Sequence, residues 1–160
     1  MQAKAGVTSR ALKEILNNKG YIEIPSHGVS MLPLIRTGNI CRFEPVHPIE
    51  LQRGDIILFQ ADTGILVGHR YLERKWMNDQ WMVICKGDSN LHPDAPVPEE
   101  SIIGKMVSIR KPSGTMITSS PRLKLWGRLV IRLPLISLSV HSFLRVSRKL
   151  KGMKNSLWAS

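Results

Sequence analysis

The chain has 160 residues, 42% hydrophobic and 22% charged, a balance that suits one folded domain with its own core and excludes global disorder. Its formal net charge of +11 is one-sided: residues 1–100 carry 11 Lys and Arg against 12 Asp and Glu, whereas residues 101–160 carry 12 Lys and Arg and no acid. A basic C-terminal third predicts an anionic partner: phospholipid head groups, nucleic acid or an acidic protein.

Residues 1–6, Met-Gln-Ala-Lys-Ala-Gly, lack the apolar stretch of a secretory signal, and no window holds the ~20 uninterrupted apolar residues that span a bilayer. Residues 9–19 read as a short amphipathic helix, capped by Thr8 or Ser9 and stopped by Gly20, with Ala11, Leu12, Ile15 and Leu16 on one face. Residues 21–25 are strand-like. Ser30 follows just past a turn, and residues 31–35 suit a single helical turn ended near Gly38.

Strand candidates then succeed one another at 39–45, 55–60, 65–74, 80–86 and 102–110. Asn78-Asp79 marks a hairpin tip, residues 87–100 form a loop rich in Pro, Asp, Ser and Asn, and Lys111-Pro112-Ser113-Gly114 is a turn that closes the β region. Cys41 and Cys85 lie in two of these strands. Two cysteines make no disulfide framework, so reduced, partly buried thiols are expected; without CxxC or HxxxH spacing, no metal site is expected. Many short strands and few helices predict a mainly β fold, an open or partly closed barrel.

The last segment, 122–151, is basic and amphipathic. Arg128, Arg132, Ser139, Ser142, Arg145 and Lys149 fall along one helical face, and Trp126, Leu129, Val130, Leu133, Val140, Phe143 and Leu144 along the other, with a break or kink at Pro134. Residues 154–160 read as a frayed tail. Three readings stay open for this segment: a helix lying on an anionic membrane, a helix packed on the β core with its basic face solvated, or a docking helix for a partner. No recognition module accompanies it, which argues against nucleic acid.

Two segments carry chemistry. In Ser26-His27-Gly28-Val29-Ser30-Met31-Leu32-Pro33, a Ser lies between a Gly-containing turn and Met-x-Pro; in Gly68-His69-Arg70, a His lies in the apolar strand run 65–72. A Ser hydroxyl becomes a useful nucleophile when a base such as His takes its proton. Each segment also has a plain structural reading, Ser30 as a turn residue and His69 as a packed strand residue. A third segment, Lys86-Gly87-Asp88-Ser89-Asn90 with Asp94, offers a carboxylate to orient an imidazole, or simply an Asp-rich turn.

In this order, these three blocks resemble the type I signal peptidase and LexA-like serine peptidase superfamily. Arg53-Gly54-Asp55-Ile56-Ile57 and Ile102-Ile103-Gly104-Lys105 are similar to the same family, so the resemblance covers roughly residues 21–110. It implies a signal-peptidase-like β-barrel-type core, with the peptidase domain at 1–118 (helix 9–19, core 21–118) and the basic segment at 119–160. It also implies Ser30 as nucleophile and His69 as base, because the His-Arg context resembles the endoplasmic-reticulum, archaeal and SipW-like branch. Asp94 matches the third member there, and Asp88 the supporting Gly-Asp position.

Gly28 stands where signal peptidases usually carry a Ser whose hydroxyl helps the oxyanion hole, so backbone N–H groups are expected to supply more of it. Neither a membrane anchor nor a DNA-binding domain precedes the core in this sequence, so a cytoplasmic protein is expected, peripheral on the inner face of the membrane. The function expected from the resemblance is a serine endopeptidase that cleaves a peptide or leader from a precursor, without cofactor or metal. The alternative is a non-catalytic module that keeps the peptidase fold and binds peptide or membrane.

Overall fold

The computed structural model describes residues 2–3, 9–133, 137–139 and 142. In chain order, its elements are β1 (Gln2–Ala3), α1 (Ser9–Lys19), β2 (Ile22–Pro25), β3 (Ile40–Glu44), β4 (Ile56–Gln60), β5 (Leu66–Met77), β6 (Gln80–Lys86), β7 (Val97–Pro98), β8 (Ile102–Lys111), β9 (Gly114–Ile117) and α2 (Pro121–Arg132). The fold is mainly β, one antiparallel sheet with a short helix near each end.

Strand order is β2-β3-β8-β4-β5-β6-β7, with β1 on β5 and β9 on β8. Two long strands curl the sheet into a half-barrel. The first half of β5 pairs with β4 and its second half with β6; β8 likewise passes from β4 to β3. Register shifts between Arg42 and Phe43, Leu58 and Phe59, and Tyr71 and Glu73 add local bends at these transfers.

β4 is buried on both faces, and the two-residue period of a strand divides the core accordingly. Ile56 and Leu58 pack with Leu16, Met31, Phe43, Met106, Ile109 and Leu123. Ile57 and Phe59 pack with Val67, Tyr71, Val83, Cys85 and Val97. Consecutive residues of β5 also face these two sides, which separates His69 from Arg70.

α1 matches the expected span, and the Gly20 N–H closes it on the Leu16 carbonyl at 2.8 Å with φ +79°. Leu16 and Leu12 face the core, but Ile15, expected beside them, is 48% exposed. The expected strands all form, with β6 at its expected bounds and the other ends moved by at most three residues. Two expectations for the β region need correction. The turn at 111–114 does not close the β region, because β9 folds back on β8. The loop 87–100 also contains β7, paired with β6, and the start of a 3-10 turn at Glu99–Ser101. Residues 31–35 make one helical hydrogen bond, Ile35 N–H to the Met31 carbonyl at 2.8 Å, but no helix.

α2 begins at Pro121, whose fixed φ and missing N–H suit a first helical position. It turns Leu123, Gly127 and Val130 inward with Trp126 partly buried beside them, so Leu129 (37% exposed) and Leu133 (46%) lie outside, contrary to expectation. Pro134 and its kink, residues 140–141 and the segment 143–160 lie outside the described residues. Among the described residues, no helix is long and apolar enough to cross a membrane.

Candidate active site

Ser30 sits on a loop that leaves β2 and returns to β3. Its neck is closed at buried Ser26: the Ser26 N–H donates to the Asn39 carbonyl at 2.8 Å, the Gly38 N–H donates to the Ser26 carbonyl at 2.9 Å, and Ser26 Oγ donates to the Arg36 carbonyl at 2.6 Å. Gly28 turns the chain with φ +82°, a left-handed conformation that glycine takes without steric penalty. The Leu32–Pro33 peptide bond that follows is cis.

A second loop, after β6, grips this one. The Ser89 N–H donates to the Ser30 carbonyl at 2.9 Å, and Ser89 Oγ donates to the Val29 carbonyl at 2.9 Å. Gly87 allows the approach, since a Cβ there would stand 2.7 Å from the Ser30 carbonyl oxygen. The same loop carries Asp94, whose N–H is fixed to the Cys85 carbonyl at 2.8 Å.

These supports bring three side chains into line. His69 Nε2 lies 2.8 Å from Ser30 Oγ, and His69 Nδ1 lies 2.6 Å from Asp94 Oδ2. A carboxylate only accepts, so Nδ1 carries the hydrogen and Nε2 is left to accept from the Ser30 hydroxyl. His69 is 4% exposed and stands edge-on to Phe59 at 6.5 Å between ring centres. Asp94 keeps some contact with solvent. The arrangement can take a proton from Ser30, hold it on an oriented imidazole and stabilise the resulting positive charge.

Asp88 lies elsewhere, on the opposite side of β5. Its two oxygens accept from Arg70, Nε at 2.6 Å and Nη2 at 3.0 Å, and Oδ2 also accepts from Trp126 Nε1 at 2.9 Å. Arg70 Nη1 reaches the Gly54 carbonyl at 2.8 Å. A Cβ at Gly127 would lie 2.9 Å from Arg70 Nη1, so the absence of a side chain there admits the guanidinium beneath α2. Asp88 therefore ties the loop after β6 to α2 and does not touch Ser30 or His69 through any of these bonds.

Lys86, one strand over, donates to Ser137 Oγ at 2.9 Å, and burial lowers its pKa while Asp88 opposes the shift. Among the described residues, no group of three or more His, Cys, Asp or Glu could hold a metal ion. Burial pushes the Cys41 thiol up to about 12 and raises Cys85 as well, which makes both poor nucleophiles. Sequence reasoning gave Ser89 no role of its own and placed Trp126 only on the apolar face of its helix, without a polar partner. The indole offers a signal in retrospect, because a buried Trp N–H needs an acceptor.

The chain is 32% identical over 85 residues to signal peptidase I W of Bacillus subtilis (strain 168). The matched part is 52% of this chain and 45% of the relative, so the chain spans about half the length of the curated protein it matches. No protein-family model matches the chain, and no solved structure matches it. Over that half of its length, the chain is similar to signal peptidase I W.

Proposed function

We propose that the chain is a serine endopeptidase that cleaves a leader or other peptide from a precursor protein. The observation that carries this reading is the continuous line from Ser30 through His69 to Asp94, at 2.8 and 2.6 Å. Its similarity to a signal peptidase over the matched half supports it.

In the proposed reaction, Ser30 Oγ attacks the scissile carbonyl carbon as its proton passes to His69 Nε2. Asp94 holds the imidazole and stabilises its charged form. The tetrahedral intermediate collapses, the C–N bond breaks, and His69 gives the proton to the departing amine. An ester between Ser30 and the acyl half remains. Water, deprotonated by the same His69, opens that ester and restores the Ser30 hydroxyl. With Gly28 two residues before Ser30, backbone N–H groups of the turn carry the oxyanion. The substrate lies extended beside a strand edge. We place the enzyme at the cytoplasmic side, where the 12 Lys and Arg of residues 101–160 meet an anionic leaflet.

A serine-reactive phosphonate tests the chemistry directly. It is expected to label Ser30 in the wild type, and to fail with Ser30→Ala and with His69→Ala. Cleavage of a precursor at the wild-type rate by either variant would sink the mechanism.

A further inference from the structure

We propose that the outer face of α2 and the cleft beside it form a docking site for an anionic phospholipid surface. α2 and the residue that ends it repeat a cation followed by a leucine every four residues: Lys124-Leu125, Arg128-Leu129 and, at the C-cap, Arg132-Leu133. At 3.6 residues per turn, this spacing draws two parallel rows along the helix, one cationic and one of leucines. Both rows face outward, with Leu125 57%, Leu129 37% and Leu133 46% exposed.

The cationic row borders a cleft of about 240 Å³ between α2, the turn before β4 and the end of β9. Arg53, Lys105, Lys124 and Arg128 line it, with Thr118 and one carboxylate, Asp55. Asp55 pairs with Lys105 at 2.8 Å, and among the described residues Arg53, Lys124 and Arg128 have no ion-pair partner. Arg70 reaches the same cleft but is neutralised by Asp88. Setting that pair aside, the lining carries a surplus of positive charge in a space that admits a phosphate head group with several waters.

Three large leucines on the convex side of a helix suit insertion between lipids; a protein partner would need a groove to receive them. The adjoining Lys and Arg can lie along the leucines while their charges stay at the head groups. Anionic lipid supplies both halves at once, an apolar layer for the leucine row and phosphates for the cleft. This site contains none of Ser30, His69 and Asp94, so it stands or falls separately from the peptidase reading.

The test is flotation of the full chain with vesicles of phosphatidylcholine alone and of phosphatidylcholine mixed with phosphatidylglycerol. Binding is expected only to the anionic vesicles, and it should weaken as salt rises. At about fivefold per cation, Arg53→Gln/Lys124→Gln/Arg128→Gln should bind roughly a hundredfold more weakly. An equal charge loss elsewhere, Arg10→Gln/Lys19→Gln/Lys75→Gln, should cost less than about tenfold. Leu125→Ser/Leu129→Ser should lose binding with all cations in place. Equal binding to both vesicles, wild-type binding insensitive to salt, equal losses in the two triple variants, or an unchanged leucine variant each overturn the proposal. So does full displacement by glycerol 3-phosphate, which would make the cleft a site for a soluble phosphate. Binding to polyglutamate without binding to vesicles would assign the face to an acidic protein instead.

Discussion

Trp126 donates its indole N–H to Asp88 at 2.9 Å, and this bond sets which side of α2 meets the sheet. Asp88 is held from below by Arg70, the neighbour of His69, and its loop continues to Ser89, which holds the Ser30 turn. The helix and the Ser30 loop are thus joined by one short run of chain. The rotation that seats Trp126 and Gly127 over this pair is also what leaves Leu125, Leu129 and Leu133 outside.

Replacing Trp126 by Phe keeps one aromatic ring but removes the donor with the rest of the indole. Asp88 then retains both Arg70 bonds but loses its third partner in a buried setting. A stability loss of about 1.5–3 kcal/mol is expected in urea unfolding, the range for a hydrogen bond to a charged group. If the bond also positions the Ser30 loop, kcat falls while KM holds, and Trp126→Tyr does not rescue it unless its hydroxyl reaches Asp88. An unchanged kcat at reduced stability would confine Trp126 to a structural part.

Asp88→Asn is the more severe change. Arg70 and Asp88 are almost fully buried, so the amide leaves a guanidinium without its counter-charge. Breaking a buried pair by removing one partner costs about 3–5 kcal/mol, against a whole-domain stability of about 5–15. The variant is expected to unfold at a markedly lower urea concentration, or to accumulate poorly in cells. Arg70→Lys should fall between, since one ammonium cannot replace the two-pronged contact with Asp88 and also reach the Gly54 carbonyl.

Much of this arrangement was legible from residue patterns, and the gaps have physical reasons. Strands announce themselves by apolar runs between Gly, Asn, Asp and Pro, and the hairpin tip Asn78-Asp79, with φ of 51° and 57°, follows turn chemistry directly. Gly114-Thr115-Met116-Ile117 was hidden because a four-residue strand has little periodicity and its pairing depends on β8 lying alongside. The outward turn of Leu129 was hidden for another reason. Helical periodicity marks an apolar arc wider than the surface actually buried, and a polar contact between Trp126 and Asp88, 38 residues apart, chooses within that arc. The order of the Ser30, His69 and Asp94 blocks was visible in the chain; the Ser89 clamp was not, because it works through backbone atoms that any residue type presents.

That clamp gives the next expectation. Gly87→Ala places a Cβ against the Ser30 carbonyl and the Asn90 side chain, where a contact of 2.7 Å cannot be kept. The loop must move, so phosphonate labelling of Ser30 should slow at least tenfold, because a shift near 1 Å at a reacting group costs on the order of a hundredfold. Ser89→Ala removes the Oγ bond to Val29 but keeps the N–H bond to Ser30, so its effect should be several-fold smaller. Equal labelling rates for the two variants would contradict this ranking.

Asp94→Asn tests the far end of the line. The amide nearly matches the carboxylate in size but can present an N–H to His69 Nδ1, which favours the tautomer that puts hydrogen on Nε2. That imidazole cannot accept the Ser30 proton. A loss of about 10⁴ in kcat is expected, by analogy with the same change in serine–histidine–aspartate sites. Circular dichroism should be unaltered, since the Asp94 N–H still bonds the Cys85 carbonyl. Retention of wild-type kcat would remove Asp94 from the mechanism.

Buried thiols set the response to alkali. Cys41 is fully buried, and its pKa rises from 9.0 to about 12 because burial disfavours the thiolate. Below 9 the thiol is protonated in both folded and unfolded chains, so its contribution is fully present. Above 9 the unfolded chain loses this proton while the folded chain keeps it, and stability falls toward 12 at about 1.4 kcal/mol per pH unit. Lys86 acts in the opposite direction, its lowered pKa making stability rise as pH approaches 10.5, so the comparison must isolate the thiol. The difference in unfolding free energy between wild type and Cys41→Ala does so, because the Lys86 contribution cancels. That difference should be flat from pH 7 to about 8.5 and shrink above 9. A difference independent of pH would mean that the Cys41 thiol ionises alike in the folded and unfolded chains.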